Sequence, residues 1–428
     1  MTVFRFKITI KLDVMISTTE ATRIIAENAV IFQKRKMSLL QSSGNLLSEN
    51  IYADRDFPPF DRVTMDGIAI KASSWTKGVR NFVIERLQPA GSTRTKLEDD
   101  DNAIEIMTGA ILPENTDAVI QYEEIEIMEK EGNGIASIQS STVVPYQNVH
   151  HKGEDRKAGD LLIPEGTVIA APEIGVMASV GMWEVLVYDF PRVAIISTGD
   201  ELVEVNQVPE AHQIRKSNVY SIQSELTGLG IASETFHLPD SKDALFQSLQ
   251  SIMNEYPVLI LSGGVSKGKL DYVPGVLEAL GIKKVFHGVK QCPGKPFWFG
   301  RSGDNTIFAL PGNPVSTFMC FQRYVKIWFE KCLSISPKRF YAGLTKDVLF
   351  KPELTYFLQV KIHVTPHGKI EATPVTGHGS GDLANMLLAD GFLELPPGQL
   401  QFRAGDSFPL HLFRSGWSLQ DAENNRTE

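Results

Sequence analysis

Apolar and polar positions change period several times along this chain, and each change marks a different kind of element. Between residues 18 and 33, Ala21, Ile24, Ile25, Ala29 and Phe32 recur at helical spacing, which predicts an amphipathic helix with one face turned to a core. Ser17 and Glu20 stand in a capping-box relation ahead of that stripe, so the fold is expected to start near Met15, with residues 1–14 an extension or an upstream start. From 57 to 149 the pattern shifts to short apolar runs such as NFVIERL, NAIEIMTG and DAVIQYEEIEI, divided by Gly, Pro, Asn and Asp. That is the signature of a β-rich insert. Gly-rich turns in HHKGEDRKAGDLLIPEGTVI then lead to a second helical stretch near 171–179, so one domain is expected to be assembled from two separated segments.

After DFPR the chain alternates apolar strand, loop and helix: VAIIS, SNVYSIQSELTGLG, ASETFHL, KDALFQSLQSIMN, VLILSGG, DYVPGVLEALG, IFALPGNP and STFMCFQRYVKIWFEK. This rhythm predicts a doubly wound parallel sheet with helices on both faces, whose ligands sit beyond the carboxyl ends of the strands. Past Ser336, LTYFLQVKIHVTPHGKIEATPV alternates around a His-Gly turn and predicts a small β domain. The last residues, SLQDAENNRTE, are expected to be disordered.

Composition narrows the function classes. A net charge of -9 with no basic tail opposes sequence-independent nucleic-acid binding, which needs clustered Lys and Arg against phosphates. Cys292, Cys320 and Cys332 lack CxxC spacing, so neither a disulfide framework nor a thiolate zinc site is expected. No apolar run approaches the roughly 20 residues a bilayer requires, and the alternating N-terminus is unlike a signal peptide. A cytoplasmic protein acting on a small molecule, without a nucleic-acid or membrane partner, fits these features.

Three predicted strand ends lead into small-residue loops: STGDEL, with Ser197 and Gly199; LSGGVSKGKLDY, with Ser262, Gly263, Gly264 and Ser266; and LPGNPVS, with Pro311, Gly312, Asn313, Pro314 and Ser316. Glycine lets a backbone approach phosphate closely, and N–H groups at a following helix start complement the anion. Asp200, Glu201, Asp240 and Asp271 fall in or beside such loops, where carboxylates with phosphate oxygens can hold Mg²⁺. Asp200 and Asp240 equally fit helix N-caps. Asp66 in TMDG and Glu154 and Asp155 in KGEDRKAGD lie outside this region, and local evidence alone makes them turn formers.

The segments PPFDRVTMDGIAI, IMTGAILPENTDAVI, KGEDRKAGD, VAIISTGDEL, LILSGGVSKGKLDY, PGKPFWFG and ALPGNPVS, in this order and spacing, closely resemble the molybdopterin molybdenumtransferases, the MoeA family, which includes the E domain of gephyrin. The resemblance spans about residues 15–415. It implies an α/β and β multidomain protein: a discontinuous N-terminal domain at 15–56 plus 150–188, a β-rich insert at 57–149, a MogA-like α/β domain at 189–336, a small C-terminal β-barrel domain at 337–415, and a tail at 416–428. It also implies the reaction, insertion of molybdate into adenylylated molybdopterin with Mg²⁺-dependent release of AMP. Molybdate is a substrate there and Mg²⁺ the cofactor.

By the same resemblance Asp66, Asp155, Glu201, Asp240 and Asp271 form the acidic catalytic set, the last three as metal ligands. Thr108, Lys295 and Ser380 join the loop residues as substrate contacts. A homodimer is implied, with Asp66 presented to the partner subunit's site, and a molybdopterin adenylyltransferase and molybdoenzymes are implied as upstream and downstream partners. Competing readings are a molybdopterin adenylyltransferase, which typically has a TGGTG-like loop where this chain reads SGGVS, and a non-catalytic scaffold or inactive paralogue. Many relatives carry Lys or Arg where this chain has Cys292. A neutral thiol is a weak donor to an anion, which leaves compensation to Lys290 or Lys295, a tolerated loop cysteine, or a reactive thiol as the open readings.

Overall fold

The computed structural model describes residues 15–130, 133–266, 268, 271–333 and 339–414. The expectations for residues 1–14 and for the tail therefore lie outside the described residues. The chain divides into two compact units, residues 36–187 on the one hand and 1–35 with 188–428 on the other.

In the larger unit a six-stranded sheet runs in the order Ser233–Leu238, Val193–Thr198, Val258–Ser262, Asn305–Leu310, Trp298–Ser302, Lys283–His287. The first four strands are parallel. Val193–Thr198 and Val258–Ser262 are buried along their whole length, as continuous apolar strands covered on both faces should be. Trp298–Ser302 runs antiparallel to both of its neighbours, since the turn between Ser302 and Asn305 is too short for the crossover that parallel pairing with Asn305–Leu310 requires, and Lys283–His287 returns to the direction of the first four strands.

Beside this sheet, the strands Phe340–Leu344, Thr355–Val364, Ile370–Pro374, Gly391–Leu395 and Ser407–Leu412 close into a five-stranded barrel. The Thr355–Val364 and Ile370–Pro374 hairpin turns through Gly368 at φ +76°, as the His-Gly turn predicts. A short strand, Gln291–Cys292, adds in parallel to the start of Thr355–Val364, with Cys292 opposite Tyr356.

The first helix is shorter than its apolar stripe suggests. It spans Thr18–Glu27, capped at its start by Ser17 Oγ accepting from the Glu20 N–H at 3.1 Å. Asn28 ends it by returning its backbone and side-chain N–H groups to Ile24 O. Phe32 lies beyond the helix and packs edge-on to Phe190 and Trp328. The helix packs on Lys326–Cys332, with Trp328 reaching Asn28 O, and Arg323, just ahead of that second helix, reaches Thr22.

In the smaller unit, Leu47, Ile51, Ile163, Ile169, Met177, Val185 and Val187 form one core cluster from two separated segments. A second sheet runs Ala118–Gln121, Gly67–Ile70, Ala103–Ile106, Asn81–Gln88, Asn133–Ile138, Ile125–Lys130. Every residue of Gly67–Ile70 is buried, with Ile68 and Ile70 in one apolar cluster and Ala69 in another. A Cβ on Gly67 would lie 1.9 Å from the Ile120 carbonyl oxygen. Gly67→Ala is therefore expected to destabilise this unit by about 3 kcal/mol, read as a lower urea midpoint. An unchanged midpoint would mean the two strands separate at little cost.

Candidate active site

The four parallel strands end at Thr198, Leu238, Ser262 and Leu310, all on one edge of the sheet. The loops that follow line a cleft of about 970 Å³, whose other wall comes from the barrel. Ser197, Gly199, Glu201 and Asp240 reach it from the first two strands. Ser262, Gly263, Gly264, Ser266 and Asp271 reach it from the third, and Pro311, Gly312, Asn313, Pro314 and Ser316 from the fourth. Lys295 and Cys292 also line it. Ser380 arrives from beyond the barrel hairpin, where its Oγ accepts from Asn313 Nδ2 at 2.8 Å and its carbonyl accepts from the Val315 N–H at 3.1 Å.

Two of the three small-residue loops run straight into a helix, LSGGVSKGKLDY into Val273–Ala279 and LPGN into Pro314–Cys320. After STGDEL the chain forms a short strand instead, Leu202–Val203, paired with Ile214–Arg215. The next helix, Asn218–Gly228, begins only after that. Helix Lys242–Glu255 starts after Ser241, so neither Asp200 nor Asp240 is an N-cap. Gly263, at φ +101°, sits so close to Thr198 that a Cβ would lie 2.9 Å from its carbonyl oxygen and 3.0 Å from its hydroxyl. The Thr198 hydroxyl is buried without a partner among the described residues. The loop glycines thus keep a bare backbone surface at the cleft floor.

The acids share one field. Burial and the charges of Asp200, Glu201 and Asp271 raise the Asp240 carboxyl above its ordinary value, and the Asp240 N–H donates to Asp200 Oδ1 at 3.2 Å. Asp271 Oδ2 accepts from the Gly268 N–H at 2.7 Å. Among the described residues no three His, Cys, Asp or Glu side chains are grouped closely enough to hold a metal by themselves. Mg²⁺ still fits, since it binds through one or two carboxylates with the remaining positions taken by water and substrate phosphate oxygens.

Several lining residues have little to mark them in the sequence. Asn218 opens a helix like any cap-region residue, yet its amide donates to Ser262 Oγ at 2.9 Å and Gly312 O at 2.7 Å, joining two loops. Lys216 and Arg215 supply cations. From the barrel, Phe350 and Tyr356 line the cleft and stack with centroids 4.2 Å apart and planes 6° apart. Lys290 is exposed and not on the cleft wall, so Lys295 is left of the two lysines considered as compensation for Cys292. Burial pushes the Cys292 thiol up, with Lys295 opposing, so it stands there as a neutral group rather than a thiolate.

Asp66, Thr108 and Asp155 belong to the smaller unit. Asp66 Oδ1 accepts from the Thr108 N–H at 2.5 Å, and that bond, with one from the Thr108 hydroxyl, holds the Asp66 carboxyl below its ordinary value. Asp66 is thus an anion at neutral pH. Arg62 can only donate, so its contact of 3.2 Å makes His150 Nδ1 the acceptor. His150 Nε2 then carries the proton and faces Asp155 Oδ1 at 3.1 Å.

Residues 16–181 match the MoeA N-terminal region (domains I and II), 194–331 a probable molybdopterin binding domain, and 341–413 the MoeA C-terminal region (domain IV). A molybdopterin molybdenumtransferase of Synechocystis is 42% identical over 93% of this chain and 100% of its own length. That of Bacillus subtilis is 30% identical over 93% and 94%. Two crystal structures of the molybdopterin biosynthesis MoeA protein from Pyrococcus horikoshii match with TM-scores of 0.81 and 0.77, at 27% and 26% identity, each covering 94% of this chain and 100% of the other. With the three matched regions in order along a chain that shares this identity over nearly its whole length, the protein belongs to the MoeA family of molybdopterin molybdenumtransferases.

Proposed function

We propose that this enzyme transfers molybdenum from molybdate to the dithiolene of adenylylated molybdopterin, with AMP and molybdenum cofactor as products and Mg²⁺ as the cofactor. The observation that carries this reading is the meeting, among the described residues, of glycine loops, an acidic group and the cations Arg215, Lys216 and Lys295 at one sheet edge. A phosphate-bearing anion and a second oxyanion need such a mixture. Lys295 would donate to an oxyanion, and Ser266, Ser316 and the loop N–H groups would bind phosphate oxygens. Glu201, Asp240 and Asp271 would hold the metal or orient water. Mg²⁺ bound there would neutralise phosphate charge as the adenylate is cleaved. The aromatic wall of Phe350 and Tyr356 offers a flat surface for a heteroaromatic ring.

Asp66 and Thr108 complete the reading as a pair offered by one protomer of a homodimer to its partner's cleft, with Asp155 beside His150 in the same unit. An adenylyltransferase would supply the substrate and molybdoenzymes would receive the product. No helix among the described residues is long and apolar enough to cross a membrane, and a cytoplasmic location fits this chemistry.

The test is AMP release from adenylylated molybdopterin, with and without molybdate and Mg²⁺. Release should require both, and Asp66→Asn should lower it by about 100-fold while leaving the fold intact. A folded wild type that releases no AMP under any of these conditions would instead be a scaffold or an inactive paralogue.

A further inference from the structure

Lys216 stands out once the cleft is seen whole. Among the described residues three cations line it, and Arg215 and Lys295 are exposed, whereas Lys216 is only 8% exposed. Its place is fixed by backbone: Ile214 N–H donates to Glu201 O at 2.9 Å and Lys216 N–H to Val203 O at 3.0 Å. Lys216 therefore sits beside the segment that carries Glu201, two residues before the Asn218 amide that joins Ser262 to Gly312.

Burying an ammonium is costly unless its charge and its donors are both satisfied. Lys216 Nζ has one protein partner among the described residues, Glu204 Oε1. The Glu204 side chain is itself 49% exposed, so part of its charge is screened by water. An ammonium carries three N–H donors, so two remain on a cation buried in a cleft wall. Across the same cleft Cys292 presents a neutral thiol.

We infer that Lys216 is an anion-binding residue of this cleft, its two remaining donors directed to phosphate oxygens of the ligand, with Glu204 as the carboxylate that takes its third donor and offsets part of its charge. This rests on the proposed function for the identity of the natural ligand, but not for the anion site. Lys216 thereby supplies charge that Cys292 cannot.

The experiment is calorimetric titration of the full-length protein with inorganic pyrophosphate, without molybdate or pterin. Wild type should bind, Lys216→Met should bind about 10- to 100-fold more weakly, as expected for a lost hydrogen bond from a charged donor, and Lys216→Arg should stay within about threefold. Unchanged affinity in a folded Lys216→Met, or no pyrophosphate binding by wild type, overturns the assignment. If Lys216→Met does not fold, Glu204→Gln decides. Removing the competing carboxylate should tighten pyrophosphate binding by about two- to fivefold, and unchanged or weaker binding overturns the assignment. AMP release is scored separately, so a protein that binds pyrophosphate through Lys216 but transfers no molybdenum would refute the transferase reading alone.

Discussion

Asp240→Asn is expected to cut molybdate-dependent AMP release by about 100-fold or more while making the metal-free protein more stable. The two effects share one cause. Asp240 is partly desolvated and faces the charges of Asp200, Glu201 and Asp271, which lift its carboxyl above the ordinary 3.8. A carboxyl raised in the folded state costs stability once it ionises, so wild-type stability should fall as pH climbs from 3.8 through the raised value. The asparagine variant should show no such fall and a higher melting temperature without Mg²⁺. In wild type, added Mg²⁺ should restore stability by binding the folded form; the variant should gain less. Unchanged AMP release in the variant would remove Asp240 from the chemistry.

Glu394→Gln should be the most destabilising of the single changes considered, by about 3–5 kcal/mol, because it strands a buried guanidinium. Arg323 is 9% exposed, with Nε 2.9 Å and Nη2 3.2 Å from the Glu394 carboxylate. Burial alone would raise the Glu394 carboxyl, but hydrogen bonds from His411 and Arg323 and their charges overcome it and hold it at about 2. His411 is pushed down by its own burial, so near neutral pH it donates uncharged from Nε2 to Glu394 Oε2 at 2.8 Å. For a depressed carboxyl the stabilisation is complete above the ordinary 4.5 and is lost as pH falls toward about 2. The gap corresponds to about 3 kcal/mol. Urea midpoints taken from pH 7 to pH 2 should therefore drop steeply in that window for wild type and much less for Glu394→Gln. Parallel curves would mean the pair contributes nothing to acid lability.

Much of the cleft was legible because parallel strands place all their carboxyl ends on one edge. Reading the strand and loop alternation was enough to bring Gly199, Gly263 and Gly312 to one wall. What stayed hidden depends on contacts between distant segments. Nothing local distinguishes Asn218 from a helix cap, or Lys216 from a solvated lysine beside Arg215, until the folded loops surround them. Tyr356 faces the cleft through its pairing with Cys292, a register that alternation cannot supply. The apolar stripe runs past the first helix because Ala29 and Phe32 continue its face, while Asn28 turns its side-chain amide back onto Ile24 O and ends it. Asp66 and Asp155 are singled out by the family resemblance alone, since an Asp before Gly or Arg is locally an ordinary turn residue.

Because the Arg323 guanidinium reaches both Thr22 of the first helix and Glu394 of a barrel strand, the α/β sheet and the barrel are modular in sequence but not in energy. Detaching either neighbour would leave a cation inside an apolar interior without its counter-charge or its hydroxyl partner. The barrel, the first helix and the sheet are therefore expected to unfold together, in one calorimetric transition. Recombining this barrel with another relative's α/β domain requires carrying Thr22, Arg323 and Glu394 across together.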